Sequence, residues 1–370
     1  MRVLAISSDR SKRGVLYPDT PASRRQEAYA AAFGDLDIIG FSQIGDASPY
    51  SREGLSVYPT NSSSRFFYGI DALRIAKTLS RPDVVSVQDP FEAGFVAWLI
   101  ARRFRVPLHV QVHTDFLSPE YTKLSLLNRA RVMIAGFILH RAARIRVVSP
   151  RVKESIEKRY ALRVPITVLP IFVNIEAMRV GLSDHALAAR FSRFTSKFLV
   201  VARLEHEKNV LMALLAFANS APRDTCLVIV GSGNEREALE NHANKLNVGD
   251  RVFFEGEKDA TPYYTLADLV LVSSLYEGYG IVIVEALAAG KPVLSTDVGI
   301  AREAGAILAT EEHFADALAE WFKSGPREGT LKGYPYENFE EYVRSYCDDI
   351  EACPHTKSGL AHILPPSRGE

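Results

Sequence analysis

The chain has 370 residues, of which 47% are hydrophobic and 24% charged, the composition of a folded globular protein with about two domains. No apolar run approaches the ~18 residues of a membrane-spanning helix, and the opening MRVLAISSDR becomes charged too soon for a signal peptide. The three cysteines, Cys226, Cys347 and Cys353, lack metal-binding spacing. We therefore expect free thiols and a cytoplasmic location.

The net charge is zero, but the charge is unevenly distributed. Residues 1–175 contain 25 basic and 15 acidic residues, and the stretch 102–163 alone contains 14 basic and 4 acidic residues. The basic amphipathic segment 128–146 has two interpretations: peripheral contact with the inner membrane face, or a helix packed on a sheet with its arginines in water. We favour the second. No nucleic-acid-binding module accompanies this charge, so we expect no nucleic acid partner.

Short apolar runs alternate with longer helical patterns along the whole chain. In chain order, strands are predicted at 3–7, 37–41, 84–88, 108–112, 144–148, 166–169, 198–201, 226–230, 252–255, 269–273 and 293–296. Helices are predicted at 24–33, 70–79, 93–104, 126–143, 209–219, 235–246 and 282–289. Because most strands are apolar throughout, they fit parallel sheets covered on both faces. We predict two Rossmann-like domains, at 1–172 and 173–335.

The loop YEGYG at 276–280 joins a predicted strand to a predicted helix. Ligands of parallel α/β sheets bind beyond the carboxyl ends of the strands. Gly278 and Gly280 would let the backbone approach a ligand, and the amides that open the helix would bind an anion or sugar oxygens. Glu277 stands at the mouth of this loop, and Glu285 lies just over one turn into the helix, from where it can reach back.

A basic pair follows another strand. In VARLEHEKN, Arg203 comes directly after the strand and Lys208 lies five residues further on. A guanidinium fork and a compact ammonium can converge on a diphosphate. The next turn, which contains Gly231 and Gly233, lacks a full dinucleotide-binding pattern and is weak evidence alone.

Taken together, these motifs are characteristic of one family. They are Arg203 and Lys208 in VARLEHEKN, Gly231 in VGSGNE, Glu277 and Glu285 in YEGYGIVIVEALAAGKPV, and Gly299 and Glu303 in STDVGIAREAG. In this order the sequence resembles glycosyltransferase family 4, the retaining, GT-B-fold glycosyltransferases of group 1.

The resemblance implies an α/β GT-B fold, with two Rossmann-like domains whose parallel sheets face each other across a central cleft and a C-terminal helix at about 336–354 packed back on the first domain. It implies a nucleoside diphosphate sugar as donor. Arg203 and Lys208 would hold its diphosphate in place of a metal, so no metal or other cofactor is expected. Glu285 would bind the ribose, and the base would rest beside Gly256 and Lys258.

The transferred sugar and its phosphate would contact Glu277 and the backbone amides of Gly278, Tyr279, Gly280 and Ile281. Two carboxylates that act as hydrolytic acid and base must flank the scissile bond. Since one glutamate is assigned to the ribose end, the pair is interpreted as a donor grip rather than as an acid and a base.

On the acceptor side, the resemblance makes His113, at the end of the strand 108–112, a catalytic candidate. Asp115 is its neighbour, and Gln88 and Asp89 end another strand, where they would bind acceptor hydroxyls. The loop after the first strand departs from the family pattern. It has one glycine, Gly14, among basic residues, which suits a phosphorylated acceptor.

The leading hypothesis is a retaining, metal-independent transferase that moves a hexose to a hydroxyl-bearing acceptor: a glycan, a lipid-linked molecule or a small molecule. Two alternatives stay open. One is a GT-B-fold nucleotide-sugar epimerase or hydrolase, which would turn over without an acceptor. The other is a non-catalytic subunit that binds nucleotide sugars.

Overall fold

The computed structural model describes residues 1–182 and 184–354. It separates into two compact units, one formed by Met1–Pro170 together with the described residues from 337 to 354, the other by Ile171–Tyr336. The sequence analysis expected the domains at 1–172 and 173–335, with a returning helix at about 336–354.

The first unit is built on a sheet that is parallel except at one edge. Its strands are β1 (Arg2–Ser7), β2 (Asp35–Gly40), β3 (Tyr50–Arg52), β4 (Leu55–Pro59), β5 (Val84–Val87), β6 (Leu108–Val112), β7 (Arg144–Val147) and β8 (Ile166–Val168). Its helices before residue 170 are α1 (Pro21–Phe33), α2 (Tyr68–Thr78), α3 (Glu92–Phe104), α4 (Pro119–Leu124), α5 (Leu126–Leu139) and α6 (Pro150–Arg159). The strand order is β3-β4-β2-β1-β5-β6-β7-β8, and β3 alone pairs antiparallel.

The structure adds elements that the apolar pattern did not predict. β3 and β4 form a hairpin at the sheet edge, where β3 is largely exposed and β4 alternates between buried and half-buried residues. Helix α6 has only Val152 and Ile156 buried, so its apolar signal is weak. The helix predicted at 126–143 ends at Leu139, because Arg141 and Ala142 turn the chain toward β7.

The second unit holds an all-parallel sheet in the order β11-β10-β9-β12-β13-β14. Its strands are β9 (Ser196–Val201), β10 (Thr225–Val230), β11 (Val252–Gly256), β12 (Leu269–Val272), β13 (Val293–Ser295) and β14 (Ile307–Leu308). Its helices are α7 (Ile175–Val180), α8 (His185–Arg190), α9 (Val210–Ser220), α10 (Arg236–Lys245), α11 (Thr261–Leu266), α12 (Ile281–Ala288), α13 (Ala301–Ala304) and α14 (Phe314–Ser324). Helices α9 and α14 cover one face through a core that includes Phe198, Phe217 and Trp321.

The last described helix, α15 (Phe339–Glu351), belongs to the first unit. It packs on α1, where the Tyr29 hydroxyl donates to the Tyr342 hydroxyl at 2.9 Å and the Tyr29 and Tyr346 rings stack 4.2 Å apart. Near its C-terminal end, Asp349 is buried against β7. The segment after α14 therefore returns to the first sheet and supplies polar groups to its interior.

Candidate functional site

The centre of the second unit's candidate site is a half-buried ion pair between Lys208 and Glu277. The loop after β9 carries Lys208, and the loop after β12 carries Glu277. The Lys208 ammonium donates to Glu277 Oε1 at 2.5 Å, and Ser274 Oγ donates to the same oxygen at 2.8 Å. The two charged side chains are 17% and 18% exposed, so solvent reaches both. The pair presents a cation and a carboxylate at the carboxyl end of neighbouring strands.

Arg203 lies nearby in sequence but has a different partner. Its guanidinium donates to Glu207 Oε1 at 2.7 Å, and its side chain is 70% exposed. Glu207 is in turn fixed through its carbonyl, which accepts from the Leu275 amide at 2.8 Å. The structure thus brings the loops of Arg203 and Glu277 together, while the two predicted diphosphate ligands pair with separate carboxylates.

The predicted glycine-rich turn is the N-terminal end of α12. Gly280 precedes this helix with φ +91°, a conformation that favours glycine, and within the described residues no side chain caps the helix end. Tyr279 is buried, whereas Ile281 is exposed. Gly299 lets another loop approach, because a Cβ there would lie 2.2 Å from the Tyr279 carbonyl oxygen. The loop of Gly299 therefore packs against the backbone of Tyr279, while the start of α12 has no side-chain cap within the described residues.

Glu285 lies on α12 and meets a residue that the sequence analysis missed. The hydroxyl of buried Tyr264, from α11, donates to Glu285 Oε2 at 2.7 Å. Burial raises the pKa of Glu285, while this hydrogen bond partly offsets the rise and the charge of Asp259 adds to it. The only sequence signal for Tyr264 was its place in a run of aromatic residues, which is more typical of a core position.

Two further predicted positions lie along neighbouring strand ends. Gly231 is required by close packing, since a Cβ there would lie 1.8 Å from the Ala202 carbonyl oxygen, and its amide donates to the Gly256 carbonyl at 2.7 Å. Lys258, expected to flank the base, donates instead to Glu255 Oε2 at 2.7 Å. Burial would raise the pKa of Glu255, yet the hydrogen bonds from Lys258 and Tyr263 lower it.

In the first unit, His113 follows β6, and the side chain of Gln111 on β6 orients its imidazole. Its Nε2 lies 3.2 Å from Gln111 Oε1, an oxygen that also accepts from Arg146 Nη1 at 3.0 Å. Gln111 Nε2 donates to Ser86 and Tyr346, so its carbonyl end faces the histidine. Burial, with the nearby charge of Arg146, lowers the pKa of His113 to about 3. The imidazole is neutral, with Nε2 as the donor.

The other predicted acceptor residues are partly occupied by local bonds. Gln88 Oε1 accepts from Ser7 at 3.1 Å, and Asp89 Oδ2 accepts from Ser8 at 2.6 Å. Burial raises the pKa of Asp89 and also that of Asp115, whose buried Oδ1 has no hydrogen-bond partner among the described residues.

Gly14 packs against a carboxylate, because a Cβ there would lie 2.6 Å from Asp9 Oδ2. The loop after β1 is thus held by contacts within the loop, between Gly14 and Asp9, and by the hydrogen bond from Ser8 to Asp89 after β5.

The cysteines and acidic residues offer no alternative centre. Cys226, Cys347 and Cys353 are buried free thiols whose pKa values burial raises to about 12. Among residues 1–182 and 184–354, no cluster of three or more histidine, cysteine or acidic side chains is arranged to hold a metal ion.

Comparison with known families matches both halves of the chain. The model described as "Glycosyl transferases group 1" matches residues 193–333, and that described as "Glycosyl transferase 4-like domain" matches residues 22–171. The first match contains the Lys208–Glu277 pair and Glu285; the second contains His113.

A curated relative supports the same assignment. The chain is 26% identical over 317 residues to alpha-monoglucosyldiacylglycerol synthase of Streptococcus pneumoniae, covering 78% of this chain and 71% of that protein.

Two solved structures share the fold. Sucrose-phosphate synthase from Thermosynechococcus elongatus has a TM-score of 0.72 at 20% identity, with 93% of this chain and 94% of that chain covered. Anabaena HepE in complex with UDP-glucose has a TM-score of 0.69 at 17% identity, with 98% of each chain covered. These neighbours confirm the predicted GT-B architecture.

Proposed function

The chain belongs to the group 1 glycosyltransferases of family 4, and from that premise we propose that it transfers a hexose from a nucleoside diphosphate sugar to a hydroxyl-bearing acceptor, with retention of anomeric configuration and without a metal ion. We take a UDP-hexose as the first donor to test, because HepE is described in complex with UDP-glucose.

The Lys208–Glu277 pair is the observation that carries this proposal. Its two groups are charged, hydrogen-bonded and solvent-accessible at a strand end, beside the uncapped start of α12. In the proposed complex, the ammonium leaves Glu277 for the β-phosphate and the α12 amides contact the same phosphate. Glu277 then faces the transferred sugar. Arg203, which is largely exposed, swings from Glu207 to the diphosphate.

The proposed reaction needs stabilisation of negative charge on the leaving group. The acceptor oxygen bonds to the anomeric carbon on the face from which the diphosphate departs, as the bond from that carbon to the β-phosphate oxygen breaks. The acceptor's proton passes to the departing phosphate oxygen. Lys208 and Arg203 stabilise the charge that grows on this group, which favours the transition state over the bound substrate. This cationic pair is the reason for proposing that no metal is needed.

Glu285 takes the ribose end of the donor in this proposal. Its Oε2 is already engaged by Tyr264, so Oε1 is the oxygen proposed to accept from the ribose hydroxyls. His113 is proposed to donate from its neutral imidazole to the sugar or acceptor once Gln111 releases Nε2. Gln88, Asp89 and Asp115 stay proposals for the acceptor side.

The acceptor and the cellular location are also proposals. The relative from Streptococcus pneumoniae is named for a glucosylated diacylglycerol, which favours testing lipid acceptors first. Within the described residues, no helix has both the length and the apolar character needed to span a bilayer. The proposal keeps the predicted cytoplasmic location and peripheral contact with the inner membrane face.

A thermal-shift screen followed by turnover tests this function. UDP-glucose, UDP-galactose, UDP-N-acetylglucosamine and the corresponding GDP and ADP sugars are compared, because specific binding raises the unfolding temperature by mass action. UDP release is then measured with lipid and glycan acceptors, with and without EDTA, and the anomeric configuration of the product is read by NMR.

The expected result is acceptor-dependent release that EDTA does not change and that the variant Lys208→Ala loses. Donor turnover without acceptor would identify a hydrolase, and isomerised sugar an epimerase. Donor binding with no turnover under any condition would leave a binding subunit. Inversion at the anomeric carbon, or loss of activity in EDTA, would each overturn one part of the proposal.

A further inference from the structure

The exposed apolar side chains of the first unit are concentrated on three helices. Phe66, in the turn just before α2, is 88% exposed, and Ile70, in the first turn of α2, is 47% exposed. On α5, Leu126 and Met133 are 79% and 72% exposed. Single exposed apolar residues are ordinary on protein surfaces, whereas contiguous groups mark interaction sites.

Helix α3 connects the two groups. A Cβ at Gly69 of α2 would lie 3.0 Å from the Val96 side chain of α3, so the two helices are in close contact. The exposed Phe95 ring of α3 lies 6.2 Å from the Phe137 ring of α5. Residues 126, 133 and 137 are spaced to share one face of α5. We call the six exposed apolar residues carried by these neighbouring helices and the turn before α2 the apolar rim: Phe66, Ile70, Phe95, Leu126, Met133 and Phe137.

Basic side chains accompany the rim. Arg65 precedes Phe66, and Arg129 lies on the same face of α5 as Leu126 and Met133. Both are exposed, and in the described part of the chain neither forms an ion pair with a carboxylate. Arg10, from the loop after β1, donates to the Tyr68 hydroxyl of α2 at 3.3 Å and so brings a third cation to this edge.

These contacts correct the surface expected from the basic segment 128–146. Arg146 is buried and donates to Gln111, and Arg144 donates to Asp349 at 2.5 Å. Neither arginine is available to an external partner. The half of the rim contributed by Phe66 and Ile70 lies far from that segment in sequence, and it carried no sequence signal because residues 61–70 show no clear period.

We propose that the apolar rim docks on an anionic lipid bilayer, with Phe66, Leu126 and Met133 inserted at headgroup level and Arg65 and Arg129 against the lipid phosphates. Apolar side chains beside uncompensated arginines match the two components of such an interface, an acyl boundary below a layer of negative charge.

The helices of the rim follow strands β4, β5 and β6, and His113 ends β6. A docked rim would therefore hold the proposed acceptor side near lipid. Only this consequence rests on the proposed function; bilayer binding itself does not.

Vesicle sedimentation of the full chain tests the proposal. Wild-type protein is mixed with phosphatidylcholine vesicles that contain either no anionic lipid or about 30% phosphatidylglycerol. We expect binding to the anionic vesicles, and a loss of at least about tenfold in the double variant Leu126→Ser/Met133→Ser, given the apolar area removed. The variant Arg65→Gln/Arg129→Gln should lose the preference for anionic vesicles. Val180→Ser, a matched change at an 80% exposed valine of the second unit, should bind like wild type.

A second measurement locates the contact. Trp98 of α3 lies 5.0 Å from Phe137 and 5.5 Å from Phe95, ring to ring, whereas the other tryptophan, Trp321, is in the core of the second unit. Brominated lipids should quench wild-type fluorescence and should not quench the variant Trp98→Phe.

Several results would overturn the proposal. They are wild-type protein that stays in the supernatant with both vesicle types, rim variants that sediment like wild type, and concentration-dependent self-association that the rim variants abolish without any vesicle binding, which would assign the surface to a second copy of the chain. Because the substituted side chains are exposed, urea unfolding of each variant should match wild type. Vesicle binding without binding of any of the UDP, GDP or ADP sugars would support this inference while defeating the proposed function.

Discussion

The carboxyl edges of the two sheets hold their polar side chains in different ways. In the second unit, Lys208 and Glu277 pair with each other at the solvent boundary. In the first unit, His113 rests on a buried network that runs through Gln111 and Arg146 to α15. An accessible ion pair can exchange its partner for a ligand, since each charge finds a new counterpart. The fully buried bonds below His113 cannot be exchanged in this way, because every bond given up leaves a desolvated group.

The network of the first unit extends well below its edge. Buried His109 donates from Nε2 to Asp349 Oδ2 at 3.0 Å, and its Nδ1 accepts from Ser86 at 2.9 Å. Arg144 donates to the other Asp349 oxygen. Residues of β5, β6 and β7 are thus joined to a helix more than 200 positions later in the chain. The difference predicts that changes at the Lys208–Glu277 edge of the second unit alter ligand binding and turnover, whereas changes in the buried network of the first unit alter stability.

Glu277→Ala is the change expected to have the largest effect. Loss of this carboxylate removes the acceptor that positions both Lys208 and Ser274. Turnover should fall by about 100- to 1,000-fold, or about 3–4 kcal/mol, the range for a preorganised group at the reacting centre. Donor KM should change little. Steady-state kinetics on the best donor measures this, with Glu312→Ala, an exposed glutamate of the same unit, as control. A change in KM alone would show that Glu277 only binds.

Asp349→Asn should have an effect of comparable size, but on stability rather than on chemistry. Replacing the carboxylate leaves Arg144 without its buried counterpart, which costs about 3–5 kcal/mol in comparable pairs. Urea unfolding measures it. The matched control is Asp71→Asn, which breaks the exposed Arg74–Asp71 pair and should cost under about 1 kcal/mol. Equal losses in the two variants would contradict the comparison.

The same carboxylate makes the stability of the first unit depend on pH in the acid range. Burial would raise the pKa of Asp349, yet the hydrogen bonds from His109 and Arg144 lower it to about 2. A depressed native pKa means that this stabilisation is present above the unfolded value of about 4 and is lost as pH falls toward about 2. Asp349→Asn should flatten the decline in unfolding free energy over that interval.

Glu285→Gln should act mainly on donor affinity. The amide keeps the size of the side chain but replaces a charged acceptor for the proposed ribose hydroxyls, a loss of about 1.5–3 kcal/mol for a charge-assisted hydrogen bond. UDP affinity by calorimetry should fall by about tenfold or more, while kcat at saturating donor stays within a few fold. A fall in kcat that matches the effect of Glu277→Ala would remove the distinction between the two glutamates.

The sequence predicted the parallel strands and the strand–loop–helix arrangement around the loop 276–280 because both are local. Apolar runs such as 108–112 define β6 without help from the rest of the chain, and the loop 276–280 lies between two such elements. Tyr264 and Asp349 could not be predicted in the same way. Their roles depend on which helix packs against which strand end, and neither residue's own neighbours in sequence report that.

Two arginines of β7 in the first sheet show the same limit of prediction from sequence. The sequence analysis expected the arginines of the segment 128–146, which include Arg144 and Arg146, to lie in water. α15 covers both arginines and converts them into internal hydrogen-bond donors. The burial of these arginines depends on α15 packing against β7, and the sequence around residues 144–146 does not contain that information.

Tyr264→Phe should give the smallest effect and the sharpest view of the donor grip. The hydroxyl donates to Glu285 Oε2 and opposes the rise that burial imposes on the pKa of that carboxyl. Its removal should raise this pKa further. Because UDP binding is proposed to need the carboxylate, affinity is lost as pH falls through the pKa, and in the variant that loss should begin at a higher pH. Near neutral pH the cost should be about 1 kcal/mol.

Calorimetric titration of UDP from pH 5 to pH 8 measures the shift. Tyr263→Phe is the control, since it removes a comparable 2.8 Å bond from the adjacent tyrosine to Glu255 and should leave the pH dependence of UDP binding where it is in wild type. If both variants shift it equally, the effect belongs to the packing of α11. If neither does, Glu285 is not the group whose ionisation the nucleotide senses. A shift confined to Tyr264→Phe would show that the second unit tunes its donor site with one hydroxyl, where the first unit uses a whole helix to fix His113.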